Sequence, residues 1–140
     1  MPKFGEESLK NLKTLHPELQ RLLVEAIKRV DFKITCGFRG QFEQHKAFIE
    51  GVSEKDWPNS KHNTYPSEAA DVVLYYPEGQ HIRWNEKENQ YMFIGALRGM
   101  AWMMGINLRV GADWNGNFDI RDQKFHDIVH IEVILPTPVA

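Results

Sequence analysis

Phe125-His126-Asp127-Ile128-Val129-His130-Ile131-Glu132-Val133-Ile134-Leu135 is the stretch around which the rest of the chain is organised. From Ile128 it alternates: Val129, Ile131, Val133 and Leu135 fall on one face, His130, Glu132 and Ile134 on the other. A period of two predicts a β-strand whose odd-numbered side chains enter the core. His130 then projects from the opposite face of a firmly held strand, with Asp127 where that strand begins. A neutral imidazole beside a carboxylate suits a metal ligand next to a general base. A histidine on a solvent-facing sheet surface is the alternative for this stretch alone, so partners elsewhere have to decide.

Working outward, Ser8 caps a short helix expected through Leu15, and Pro17 opens a second one. In the second helix Leu19, Leu22, Leu23, Ala26, Ile27 and Val30 form an amphipathic stripe, which reads as core scaffolding. Phe32 to Phe38 reads as a strand ending in Gly37-Phe38-Arg39-Gly40, followed by a helix from Gln41 to Glu50 that stops at Gly51. Arg39 sits at this strand-to-helix turn, where it either reaches over a cleft or pairs with a surface carboxylate. His45 is read as a surface residue.

Val52 to Ser67 is a polar, Pro-containing loop, and Ala69 to Tyr76 a largely buried strand. Asp71 is the anomaly within that strand, because a carboxylate in an apolar strand costs several kcal/mol unless paired or bound to a metal. His81, in the turn after it, looks incidental. The longest helix is expected from about Glu86 to Met104, with Gly95 and Gly99 spaced to admit a closely packed neighbour. A short strand ending at Gly111 follows. The loop Ala112 to Asp119, with Asp113 and Trp114, is read as a substrate-side wall. Its aspartates and asparagines do not match the spacing of an EF-hand calcium loop.

The 140 residues fit one domain, 1–140, with a real hydrophobic core. At 17 basic and 19 acidic residues the net charge is −2, which gives no argument for a nucleic-acid binder. One cysteine, Cys36, excludes an intramolecular disulfide and a cysteine-based structural zinc site. No apolar run has the length of a signal peptide or a membrane span, so membrane insertion is not expected and synthesis in the cytoplasm is.

Together His62, Asp71 and His130 supply two imidazoles and a carboxylate. Zinc hydrolases keep three protein ligands and leave a fourth position for water, whose pKa falls to about 7. Asp127 could take that water's proton and later deliver one to the leaving amine, and Arg39 could stabilise the oxyanion.

Ser60-Lys61-His62 with Ala69-Ala70-Asp71, and Asp127-Ile128-Val129-His130, resemble the Ser-x-His…Asp and Asp-x-x-His motifs of the LAS metallopeptidases. Among these the chain is most similar to the phage L-alanyl-D-glutamate endopeptidases. The similarity extends to Phe4-Gly5, Pro17-Glu18-Leu19-Gln20, Gly37-Phe38-Arg39 with Gln44, and Leu108 to Asn115. It implies that His62, Asp71 and His130 hold Zn2+, that Asp127 is the catalytic base, and that Arg39 contacts substrate or transition state. Gln44, Asp113 and Trp114 are further substrate contacts on this reading.

The implied fold is α+β: a small antiparallel sheet carrying the zinc site, with helices on its other face, as in hedgehog and D-Ala-D-Ala peptidase domains. The implied function is a monomeric endolysin that cuts the L-Ala–D-Glu bond of peptidoglycan stem peptides. It would wait in the host cytoplasm until a holin opens the inner membrane and then act in the periplasm and cell wall. A D-alanyl-D-alanine carboxypeptidase or dipeptidase, and an inactive zinc-stabilised wall-binding domain, are the alternatives. One departure stands out: eight residues separate His62 from Asp71, where the family pattern has six, so Tyr65-Pro66-Ser67 is expected to bulge out ahead of the strand.

Overall fold

Residues 2–136 are described by a computed structural model. The stripe of leucines predicted for the second helix packs as expected. Helix α2 (Pro17–Ala26) buries Leu19, Leu22 and Leu23 completely, and α1 (Glu6–Leu12) precedes it. Four strands follow in the order β1 (Phe32–Cys36), β2 (Ala69–Leu74), β3 (Leu108–Val110) and β4 (His130–Val133). They form one antiparallel sheet with spatial order β1-β2-β4-β3. Helix α3 (Gln41–Ile49) lies between β1 and β2 in the chain, and α4 (Lys87–Met103) between β2 and β3.

Alternation divides the sheet into two faces. Phe32, Ile34, Ala70, Val72, Leu108, Val110, Ile131 and Val133 point into the core shared with α1, α2 and α4. Each large apolar side chain buried there contributes roughly 1.5–3 kcal/mol. Asp71, His130, Glu132 and Arg109 occupy the opposite face, and their order is fixed by register: Asp71 pairs with His130, and Arg109 pairs with Glu132. The expected α+β arrangement is therefore present, except that α3 stands apart from the core layer. Its one buried side chain, Gln44, turns toward the site.

Several boundaries differ from the sequence reading. The first helix ends at Leu12 rather than Leu15, and β1 ends at Cys36 rather than Phe38. At Gly37 an added Cβ would meet Thr14 Oγ1 at 2.2 Å, so the chain there presses against the end of α1 instead of continuing the ladder. The last strand begins at His130, not Ile128: Asp127 to His130 is a turn closed by His130 N–H to Asp127 C=O, 3.1 Å. Gly95 and Gly99 have nothing within 4 Å of where a Cβ would stand, so among the described residues no element packs against them. Gln90, on α4, clips the sheet instead. Its Nε2 donates to the carbonyls of Val72 and Ile128, and its Oε1 accepts from Leu74 N–H.

Candidate active site

His62 lies in a single 3-10 turn, Lys61–Asn63, capped by Ser60, whose hydroxyl accepts from His62 N–H at 3.2 Å. The carbonyl of His62 accepts from Arg39 N–H, 2.8 Å, so the loop and the β1–α3 turn are held together. The two additional residues before Asp71 are accommodated where expected, since Thr64, Tyr65 and Pro66 are exposed. Ser67, however, is completely buried and bonds to the backbone of Thr14 and His16, so the bulge ends before it.

The imidazoles are oriented by what their far nitrogens bond. His62 Nδ1 donates to the carbonyl of Gly37 at 2.8 Å, and His130 Nε2 donates to Glu132 Oε1 at 2.8 Å. A carbonyl and a carboxylate only accept, so these bonds hold a proton on His62 Nδ1 and His130 Nε2, and His62 Nε2 and His130 Nδ1 are the nitrogens that carry the lone pair once the rings are neutral. Both face Asp71 Oδ1, at 3.2 Å and 3.6 Å. Donor atoms around a tetrahedral zinc, with bonds of ~2.0–2.2 Å, stand roughly 3.3–3.6 Å apart. Each imidazole stands at such a spacing from Asp71, and the donors fall into two sets that share Asp71: Cys36, His62 and Asp71 in one, Asp71, Asp127 and His130 in the other.

Asp127 stands further back, 4.0 Å from His130 Nδ1. It nevertheless groups with Asp71 and His130 as a donor that could reach a metal, so its place is at the edge of the ligand set. Cys36 also comes near His62 and Asp71. Its sulfur faces His62 Nδ1 at 3.8 Å, however, on the Gly37 side of the ring.

Electrostatics sharpens this division. Burial alone would depress His62, but the carboxylate of Asp71 outweighs it and pushes His62 up to about 10. Burial alone would raise Asp71, yet the two histidines hold it well below the ordinary carboxylate range. The attraction that would hold a proton between these groups is equally available to a divalent cation. Asp127 moves the other way: burial, and then the nearby charge of Asp71, push it up to about 6, in the range useful to a general base near neutral pH.

Arg39 reaches Asp71 Oδ2 with Nη2 at 3.4 Å and the Gln44 side-chain oxygen with Nη1 at 3.1 Å. Arg39, His62, Asp71, Asp127 and His130 line a cleft of about 450 Å³, together with Trp114 and Phe125. The site holds a candidate metal triad, a partly desolvated carboxylate and a guanidinium on one cleft, which is the equipment of a metallohydrolase.

The model of the family described as phage L-alanyl-D-glutamate peptidase matches residues 1–134. The chain belongs to this family. It is 34% identical over 138 residues to the L-alanyl-D-glutamate peptidase of Escherichia phage T5, covering 94% of this chain and 98% of that one. Its fold is similar to the crystal structure of the Serratia marcescens L-Ala D-Glu endopeptidase ChiX, with a TM-score of 0.72 at 24% identity over 94% of this chain and 90% of the other.

Within this phage peptidase two expected substrate contacts are placed elsewhere. Gln44 is completely buried; besides Arg39 it bonds Asn63 Nδ2, Ser53 Oγ and the Lys55 carbonyl, so it positions the arginine and the loop. Asp113 is also buried, bonded to Arg98 Nη1 and Phe118 N–H, each at 2.9 Å. Only Trp114 of the loop pair lines the cleft, its ring 5.3 Å from that of His130 and its Nε1 donating to the Phe125 carbonyl.

Sequence reasoning missed Glu132. It is buried, grips His130, and accepts from Arg109 Nε and Nη2 at 3.1 and 2.7 Å. Burial alone would raise Glu132, but the hydrogen bonds from His130 and Arg109 hold it down to about 2. A second charge on the His130 face of an apolar strand was the available signal. The logic that singled out Asp71 applies to it equally.

Proposed function

We propose that the chain is a zinc-dependent endopeptidase that hydrolyses the L-Ala–D-Glu bond of peptidoglycan stem peptides and serves as a phage endolysin. The observation that carries this reading is the approach of His62 Nε2 and His130 Nδ1 to the same oxygen of Asp71, each ring held by a hydrogen bond at its far nitrogen, with Asp127 beside them raised toward neutral pH. Family membership supports the choice of bond over D-Ala–D-Ala. The placement of Asp127 supports an enzyme over an inactive wall-binding domain, since a binding module has no use for a base there.

His62, Asp71 and His130 would hold the zinc, which when bound supplies Lewis acidity and lowers the pKa of water. Asp127 accepts a proton from the attacking water and returns one to the leaving amine of D-Glu. Arg39, held by Gln44 and Asp71, faces the carbonyl oxygen on which charge develops. Trp114 and Phe125 form the wall along which the stem peptide lies, and Glu132 keeps His130 in its tautomer.

Among the described residues no helix is long and apolar enough to cross a membrane. In the lysis role the protein accumulates in the host cytoplasm as a monomer of one domain and reaches the wall after a holin opens the inner membrane. The test is turnover of a defined L-Ala–D-Glu peptide by metal-stripped protein with zinc restored, alongside Asp127→Asn. Zinc should restore activity in the wild type, and the variant should bind zinc without turning over. Full turnover after exhaustive removal of metal, or by Asp127→Asn, would overturn the assignment.

A further inference from the structure

The cleft is lined by more cations than the chemistry at the metal uses. Arg39 is committed to Asp71 and Gln44, and Lys61 reaches Glu68 at 3.4 Å. Lys55 and Lys124 are exposed on loops. Arg109 differs from all of these. Its Nε and Nη2 are tied to one oxygen of a buried carboxylate, Glu132, while its side chain remains 39% exposed and lines the cleft. The strand pairing Arg109 to Glu132 fixes its backbone as well. It is thus a cleft-lining guanidinium with one edge anchored and no partner for Nη1 among the described residues.

We propose that Arg109 is a specificity residue that binds the free carboxylate of the glutamate on the leaving side of the scissile bond. The inference rests on the L-Ala–D-Glu reading above. A glutamyl residue has two carboxyl groups and continues the chain through only one, so the other stays anionic and close to the nitrogen that leaves. An anchored guanidinium is suited to such a group: its planar donors match a carboxylate, and little side-chain entropy remains to be lost. The position also suits it. Arg109 is connected to the metal-facing ring of His130 through Glu132 alone, next to the reacting centre without touching it. Arg39 and Arg109 then divide the work, one facing the carbonyl oxygen and the other the leaving residue.

The test uses two synthetic peptides that differ only in whether this carboxylate is free or converted to the carboxamide. Zinc-loaded wild type, Arg109→Gln, Arg109→Lys and the control Lys124→Gln are compared by the ratio of kcat/KM for the two peptides. This ratio is independent of the fraction of protein that folds or holds zinc. The same ratio is read as Kd by calorimetry on Asp127→Asn protein with and without Arg109→Gln. Wild type should prefer the carboxylate about 10- to 100-fold, chiefly through KM; Arg109→Gln should abolish the preference, Arg109→Lys restore part of it, and Lys124→Gln leave it intact. Retention of the preference in Arg109→Gln, or its loss in Lys124→Gln, would overturn the assignment. Failure of wild type to cleave either peptide would instead remove the endopeptidase reading on which it rests.

Discussion

The α-carbon of Gly111 lies so close to Asp127 that a Cβ added there would stand 2.3 Å from the Asp127 carbonyl oxygen and 2.9 Å from its Cβ. The two residues are also joined by Asp127 N–H to Gly111 C=O, 3.2 Å, while Gly111 N–H donates to the His130 carbonyl at 2.9 Å. One glycine therefore sets the turn that carries both the candidate base and a candidate metal ligand.

Gly111→Ala should displace the Asp127 turn while leaving His62 and Asp71 in place. Overpacking of this kind costs about 1–3 kcal/mol. Turnover should fall at least about tenfold, since a displacement of an ångström at a reacting group costs up to ~100-fold. Steady-state kinetics with zinc content measured on the same samples checks this. Wild-type turnover would show that the turn tolerates the side chain.

Asp127→Asn should stabilise the metal-free protein at neutral pH. The carboxyl is raised to about 6 in the folded protein from an ordinary 3.8, so the folded state binds more protons between those values. Stability contributed by this group therefore falls as pH rises from about 4 to about 6, and stays lower above that. Thermal melts in chelator should place the variant a few degrees above wild type at pH 7.5, the gap closing by pH 4. A gap of opposite sign would mean the carboxylate is stabilised, not strained, in its site.

Glu132→Gln should weaken zinc affinity about 10- to 100-fold, the usual effect of disturbing the partner of a metal-binding histidine. Glu132→Ala should in addition lower stability by about 2–3 kcal/mol, because it strips a buried histidine of its acceptor. The ordinary pKa of Glu132, 4.5, is lowered to about 2 in the fold. Its contribution to stability is thus complete above pH 4.5 and lost as pH falls toward 2. Competition with a fluorescent zinc chelator gives the affinities, and equal affinities for wild type and Glu132→Gln would leave Glu132 without a role at the metal.

Gln44→Leu should reduce kcat about tenfold with little change in zinc content. The amide oxygen that holds Arg39 Nη1 and Asn63 Nδ2 is lost, and the Lys55 carbonyl loses one of its two donors, keeping Ser53 Oγ. Rescue by Gln44→Glu, which keeps the acceptor, would separate positioning from packing. An unchanged kcat in Gln44→Leu would show that Arg39 does not need this support.

The core and the candidate ligands were legible because each leaves a local trace. The leucine stripe of α2 has helical period, and Asp71 and His130 are polar residues interrupting alternating strands. The widened loop was legible too, because extra residues ahead of a strand have only solvent to enter. Gln44, Asp113 and Glu132 were misread or missed for one reason: their partners, Arg39, Arg98 and Arg109, are set by tertiary packing and strand register, which no spacing encodes. The start of β4 was misplaced because Ile128 and Val129 have the composition of a strand, whereas the turn that contains them is fixed by Gly111 and Gln90.

The most direct measurement is mass spectrometry of the fragments released from purified peptidoglycan sacculi by zinc-loaded protein, with and without chelator. Stem peptides that begin at D-Glu, released only when zinc is present, are the predicted result. Release of terminal D-Ala alone, or the same fragments at full rate after the metal is removed, would contradict the account.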